Sequence, residues 1–256
     1  MRPRSVVVYG DFNCPWSYLA SRRVERLAAD GLQVDWRAVE HHSACASRNR
    51  LTTGFEALRD ERDRVVDLLL PGETFPHTLA GFVPCTKAAV AGYAEAYGSG
   101  VGPRVRQLLF EAFWLHGIDL GDARLVRTLL VDAIRSGGSK HEAVREWGYA
   151  VDVTGAPITT DAHALMLEWR AKWSGTGREV VPALMVDGVD PLFGEAAVRW
   201  LGGELAGRGL DPSPDPPRTG RTVPSDLPGL SWTTQQGGAW NRAFQDIHRG
   251  DALRVG

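Results

Sequence analysis

Residue 14 is a cysteine placed where a sulfur can be put to chemical use. It lies in the stretch Val6-Val7-Val8-Tyr9-Gly10-Asp11-Phe12-Asn13-Cys14-Pro15-Trp16-Ser17-Tyr18-Leu19-Ala20. Three consecutive β-branched residues read as a short buried strand. Pro15 suits a first helical position, because its missing N–H would have no intrahelical partner there. The strand should therefore end by Cys14 and a helix should start there. A sulfur at that point meets the positive end of the helix dipole and N–H groups without other partners, and both favour thiolate over thiol. Ser17, one turn into the helix, can donate a hydrogen bond to the sulfur, and Asn13 adds a second polar flank. The competing reading is that Cys14 is a small buried apolar residue, as most lone cysteines are. Its position favours chemistry, since ligands collect at strand-to-helix junctions of α/β proteins.

Other candidates carry two readings each. Trp16 is either a wall of a substrate pocket or part of the first helix's apolar stripe. His41 and His42 follow the end of a second strand and are either an acid/base pair or exposed loop residues. His116 falls on an apolar helical stripe and reads as structural, and Trp147, Trp169, Trp173 and Trp200 read as core.

The elements that must position these residues follow from periodicity. A helix over about Pro15 to Ala29 places Trp16, Leu19, Ala20, Val24, Leu27 and Ala28 on one face, with Arg22, Arg23, Glu25 and Arg26 away from it. Asp30-Gly31 ends it, and Leu32 to Ala38 alternates apolar and polar as a strand does. Strand, helix, strand at this spacing is a βαβ unit with a right-handed crossover. Helical periodicity then recurs in about Phe55–Leu70, Thr86–Tyr97, Val105–His116, Asp122–Arg135 and Thr160–Trp173, a helical subdomain inserted at about 51–175. Val180 to Val186 returns to the sheet, Asp187-Gly188 is a tight-hairpin signal before Val189 to Phe193, and a last helix follows Gly194. From Gly207 the chain is rich in Pro, Asp, Ser and Thr, and reads as a flexible tail that holds Trp232, Trp240 and Phe244.

Composition bounds the function. With 29 basic and 31 acidic residues in 256, the net charge of −2 supplies no basic field for nucleic acid. Cys14, Cys45 and Cys85 cannot all pair and show no metal-knuckle spacing, which fits a reducing compartment. The start Met1-Arg2-Pro3-Arg4 carries no apolar leader, and no run is long enough to span a membrane. The expectation is a cytoplasmic protein without metal, membrane or nucleic-acid partners.

Three segments together resemble a known family. Asp11 to Leu19 resembles the active-site stretch, Leu109 to Asp122 a segment of the helical insertion, and Val181 to Gly188 the cis-proline segment of the DsbA superfamily, in its FrnE-like branch. The resemblance spans about residues 5–206. It implies an α/β thioredoxin-like fold with a mixed central sheet and an inserted helical subdomain. It also implies a Val181–Pro182 cis bond facing Cys14, with Val181 available to pair with a thiol substrate. The redox branch has Cys-Pro-aromatic-Cys, whereas this chain has Cys14-Pro15-Trp16-Ser17. Resolution of a mixed disulfide by a second sulfur at that position is therefore impossible, unless folding brings Cys45 or Cys85 close. A related branch, the kappa-class glutathione transferases and 2-hydroxychromene-2-carboxylate isomerases, has Ser-Pro-Tyr-Ser there and binds a thiol cofactor.

Three functions follow. The first is a monothiol thiol–disulfide oxidoreductase acting through a Cys14 thiolate assisted by Ser17, with Asn13, Pro15, Trp16, Val181 and Pro182 lining the substrate. The second is an isomerase or transferase that uses a glutathione-like thiol, and the third a non-catalytic binding module on the same fold. No tightly bound cofactor is implied; the partner is a small thiol or a protein disulfide, and a homodimer is left open.

Overall fold

The computed structural model describes residues 5–41 and 53–211. Its element order is β1 (Ser5–Gly10), α1 (Pro15–Ala29), β2 (Gln33–Ala38), α2 (Thr53–Val66), α3 (Lys87–Gly98), α4 (Gly102–Trp114), α5 (Ala123–Arg135), α6 (Glu142–Trp147), α7 (Thr160–Ser174), β3 (Ala183–Val186), β4 (Val189–Phe193) and α8 (Glu195–Gly207). The sheet order is β2-β1-β3-β4. β1 pairs parallel with β2, from Ser5 opposite Gln33 to Gly10 opposite Ala38, and antiparallel with β3, with Val8 opposite Leu184. β3 and β4 form the antiparallel hairpin, turned at Gly188 with φ of 76°.

This is a mixed α/β sheet of the thioredoxin kind, with α2 to α7 inserted between β2 and β3. Being central and flanked on both sides, β1 is apolar at consecutive positions, whereas the hairpin strand β4 is mostly exposed. Among the described residues no helix is long and apolar enough to cross a membrane.

The insertion grips the β1–α1 junction through its aromatic core. The Trp114 indole N–H donates to the Phe12 carbonyl at 2.9 Å, and the Tyr93 hydroxyl donates to the Trp36 carbonyl at 3.0 Å. Phe110 packs on Phe12 at 5.0 Å and edge-on to Trp36 at 5.8 Å between ring centroids. Phe75, in the irregular stretch between α2 and α3, meets Tyr18 of α1 edge-on at 5.0 Å and Trp114 at 5.4 Å.

Four sequence expectations need correction. Arg23 is buried rather than on a solvent face, because the stretch after α2 and helix α8 both pack on that side of α1. Its guanidinium donates to Glu73, to the Leu68 carbonyl and to the Val198 carbonyl. Trp147 is 55% exposed, at the end of the six-residue helix α6 that the periodicity did not disclose, where it stacks on Tyr149. Trp169 and Trp173 are core, and Trp200 is half-buried. Helix α4 ends at Trp114, so His116 lies past its C-cap rather than on its stripe. The tail beyond Asp211, with its aromatic residues, lies outside the described residues.

Candidate functional site

Strand β1 delivers Cys14 by a tight turn. The Cys14 N–H donates to the Asp11 carbonyl at 3.3 Å, and the Cys14 carbonyl accepts from Tyr18 N–H at 3.0 Å as α1 begins. Cys14 is the helix N-cap, in extended backbone, with Pro15 directly behind it. The residue types at 14 and 15 thus produce the expected junction.

The sulfur faces the far end of the chain. The Cys14 thiol donates to the Val181 carbonyl at 3.6 Å, and the Val181–Pro182 bond is cis. Trp173 of α7 holds the neighbouring Val180 carbonyl at 3.2 Å, and Pro182 accepts from Gly194 N–H at 2.8 Å. Cys14, Ser17, Val181 and Pro182 are all buried and Trp16 is half-buried.

Ser17 is wholly buried, and its hydroxyl oxygen accepts from Asp11 N–H at 3.3 Å. The Asn13 amide donates to the Pro84 carbonyl at 3.0 Å, tying the junction to the stretch that leads into α3. The carbonyl oxygen of Asn13 and the hydroxyl of Thr86 are buried without a hydrogen-bond partner, so the polar groups of this region are not all satisfied internally.

The surroundings of the sulfur work against the expected thiolate. Burial pushes the Cys14 thiol up to about 12, and the charges of Glu61 and Asp11 push the same way. Hydrogen bonds from Ser17 pull it down, in the direction anticipated, but they are outweighed. The sulfur does cap α1, but the helix-start argument took no account of enclosure, and Cys14 is only 3% exposed.

Two acids that the sequence reading left aside belong to this neighbourhood. Asp11 is wholly buried, and its Oδ2 accepts from the His41 backbone N–H at 2.9 Å and lies 2.7 Å from His41 Nδ1. Glu61 on α2 is held above the usual carboxylate range by burial. An acid directly after a buried strand and three residues before the cysteine was the available signal for Asp11. Glu61 sits on a charged helix face and gave none. Of the histidine pair, His41 is brought to the site through Asp11, while His42 lies outside the described residues.

Cys85 is disulfide-bonded and Cys14 is free. Cys85 is therefore not an idle thiol that replaces the missing second cysteine, and Cys45 lies outside the described residues. The cysteine count did not anticipate this bond, because spacing alone does not say which sulfurs meet.

Three comparisons extend the picture. The model of the DSBA-like thioredoxin domain family matches residues 5–160. No curated protein matches the chain. Among solved structures, the chain is similar to a 2-hydroxychromene-2-carboxylate isomerase at TM-score 0.54 and 18% identity, covering 80% of this chain and 96% of that one. It is also similar to the cytosolic disulfide reductase DsbM from Pseudomonas aeruginosa at TM-score 0.53 and 16% identity, covering 79% of this chain and 98% of that one. The same reductase with GSH matches at TM-score 0.50 and 15% identity, covering 79% and 99%. At these identities the likeness is one of fold. The family-model match, on a chain whose free cysteine caps α1 opposite Val181, makes this protein a member of the DSBA-like thioredoxin domain family.

Proposed function

We propose that this protein is a monothiol thiol–disulfide oxidoreductase working through Cys14, close to the FrnE-like branch of its superfamily. The observation that carries the reading is the free Cys14 sulfur at the start of α1, 3.6 Å from the Val181 carbonyl. In the reaction, Cys14 loses its proton and attacks one sulfur of a substrate disulfide. A Cys14 mixed disulfide forms and the other substrate sulfur leaves as a thiol. An external small thiol then attacks the substrate sulfur of the mixed disulfide, and Cys14 is released as a thiol while the substrate departs as a new disulfide. Ser17 cannot perform that second attack.

The environment of the sulfur favours the reductive direction. A thiol with a raised pKa is a poor leaving group, so a disulfide on Cys14 is comparatively stable and the free thiol acts as a reductant, and the release of Cys14 by attack on the substrate sulfur is then the slower of the two steps. In this reading Asn13, Pro15, Trp16, Val181 and Pro182 line the approach of the substrate. The small-thiol partner is glutathione-like; the DsbM structure with GSH is a relative's example of such a ligand. We place the reaction in the cytosol, although a disulfide such as that of Cys85 is unusual in a reducing compartment.

A second reading is favoured by one observation, the burial of Cys14, which pushes its thiol up. A thiol of that kind suits an isomerase or transferase in which a bound small thiol supplies the reacting sulfur and Cys14 only shapes its seat. The experiment that tests the first reading is incubation of the full chain with glutathione disulfide, with mass spectrometry on the peptide that carries Cys14. The expected result is a glutathione adduct on Cys14 that added thiol removes, and loss of disulfide reduction in Cys14→Ala. Undiminished reduction by Cys14→Ala overturns it, and saturable glutathione binding by that variant together with isomerase activity supports the second reading.

A further inference from the structure

A hydroxyl buried without a partner costs stability, because it has given up water and received nothing in return. Thr86 carries such a group. It is the N-cap of α3 and only 1% exposed, yet its side chain caps no N–H of the helix and its Oγ1 has no hydrogen-bond partner. The first helical bond runs from Val90 N–H to the Thr86 carbonyl at 2.8 Å, which leaves the N–H groups of Lys87, Ala88 and Ala89 without an intrahelical acceptor. No acidic residue stands in that first turn to answer them, and the side chain that opens it, Lys87, is exposed.

This helix start lies beside the cysteine. Pro84, two residues before Thr86, accepts the Asn13 amide at 3.0 Å, and Asn13 directly precedes Cys14. Asn13 is 5% exposed, and its Oδ1 is a second buried atom without a partner. The Asn13–Pro84 bond therefore brings an acceptor without a donor into the same neighbourhood as donors without an acceptor, the Thr86 hydroxyl and the first turn of α3.

We propose that the start of α3 is a carboxylate subsite of the Cys14 site. There the Thr86 hydroxyl and the first-turn N–H groups donate to a carboxylate of the small thiol, and Asn13 Oδ1 accepts a peptide N–H of the same ligand. The proposal rests on the reading of Cys14 as the reacting sulfur, and it defines the partner's class: a thiol or disulfide whose sulfur is tied through a peptide bond to a terminal carboxylate. A helix start favours negative charge through its dipole and its free N–H groups, and Lys87 adds a cation at the rim. Water would answer the hydrogen bonds but not the charge. Glu40, two residues past β2, also faces Lys87, with Arg170 of α7 opposing the same acid, so the buried hydroxyl rather than the lysine sets the selectivity.

The test is calorimetric binding of S-methylglutathione, which cannot undergo exchange, and of its diethyl ester, in which both carboxylates are blocked, to the full chain. Wild type is expected to bind the acid about tenfold more tightly than the ester, the factor that one hydrogen bond to a charged group brings. Thr86→Val keeps the shape and removes the hydroxyl, and it is expected to weaken the acid by about tenfold and so erase the preference. Its urea midpoint should equal or exceed that of wild type, since an unpaired buried hydroxyl has been replaced by a methyl group. A merely structural Thr86 would instead lose stability and leave the preference intact. Equal binding of acid and ester by wild type, no binding of either, or an undiminished preference in Thr86→Val overturns the proposal. If Thr86→Val fails to fold, the exposed Lys87→Gln decides, with an expected loss of about threefold for the acid alone and equal affinity to wild type as the overturning result. A glutathione adduct on Cys14 without this preference would sink the subsite and spare the exchange reading, whereas the preference without an adduct would do the reverse.

Discussion

At the scale of single residues, Cys14 shows how two local effects compete. The start of α1 and the Ser17 hydrogen bonds favour a thiolate, whereas enclosure and the charges of Glu61 and Asp11 favour the thiol; enclosure is the largest effect and the thiol wins. This preference has a consequence for stability. The folded thiol is pushed from 9.0 up to about 12, so the folded state binds that proton more tightly than the unfolded chain does. The stabilisation is therefore fully present below about pH 9 and is lost as pH rises toward about 12. Urea unfolding of wild type and Cys14→Ala at pH 8 and pH 11 should show the wild type losing more of its midpoint than the variant. Equal losses in the two proteins would contradict the assignment.

At the scale of elements, the strand-to-helix junction is shaped by what packs behind it. A Cβ built on Gly10 would lie 2.3 Å from Cζ2 and 2.8 Å from Cη2 of Trp36. The Trp36 ring cannot retreat, since Phe110 meets it edge-on and the Arg106 guanidinium lies 5.2 Å from its centroid. Gly10 is thus required by close approach of a ring from the neighbouring strand. Gly10→Ala should destabilise by about 1–3 kcal/mol, as overpacked cores do, and a urea midpoint within about 0.5 kcal/mol of wild type, the range of ordinary surface changes, would show that the junction has slack. The elements themselves were largely legible in the sequence. α1, β2, α5, α7 and the β3–β4 hairpin follow from period and turn residues. The six residues of α6 are too few for a periodic stripe to emerge.

At the scale of the whole molecule, one buried ion pair ties together parts of the chain that are distant in sequence. Arg23 of α1 meets Glu73 at 2.8 and 2.6 Å, and also binds the carbonyls of Leu68 and Val198 at 2.8 and 2.7 Å. Glu73 in turn accepts from Leu70 N–H at 2.8 Å. Helix α1, the stretch after α2 and helix α8 are therefore joined at a single guanidinium. Glu73→Gln leaves that buried cation without its counter-charge and should cost about 3–5 kcal/mol, whereas replacing both partners by apolar residues of similar volume should cost less. A double replacement as damaging as Glu73→Gln would mean that packing, rather than the uncompensated charge, sets the loss.

The sequence by itself determined the junction that presents Cys14, the βαβ start, the helical insertion and the closing hairpin, because these depend on short-range period, on Pro15 and on turn glycines. It also carried the resemblance to the DsbA superfamily, which the family model bears out over residues 5–160. Only the tertiary structure decided the enclosure of the sulfur, the meeting of Asp11 with His41 across 30 positions, and the burial of Arg23. Each of those depends on which distant surface excludes water from a given side chain. Local periodicity records only that a residue faces away from its own helix's apolar stripe, and α1 is covered on more than one side.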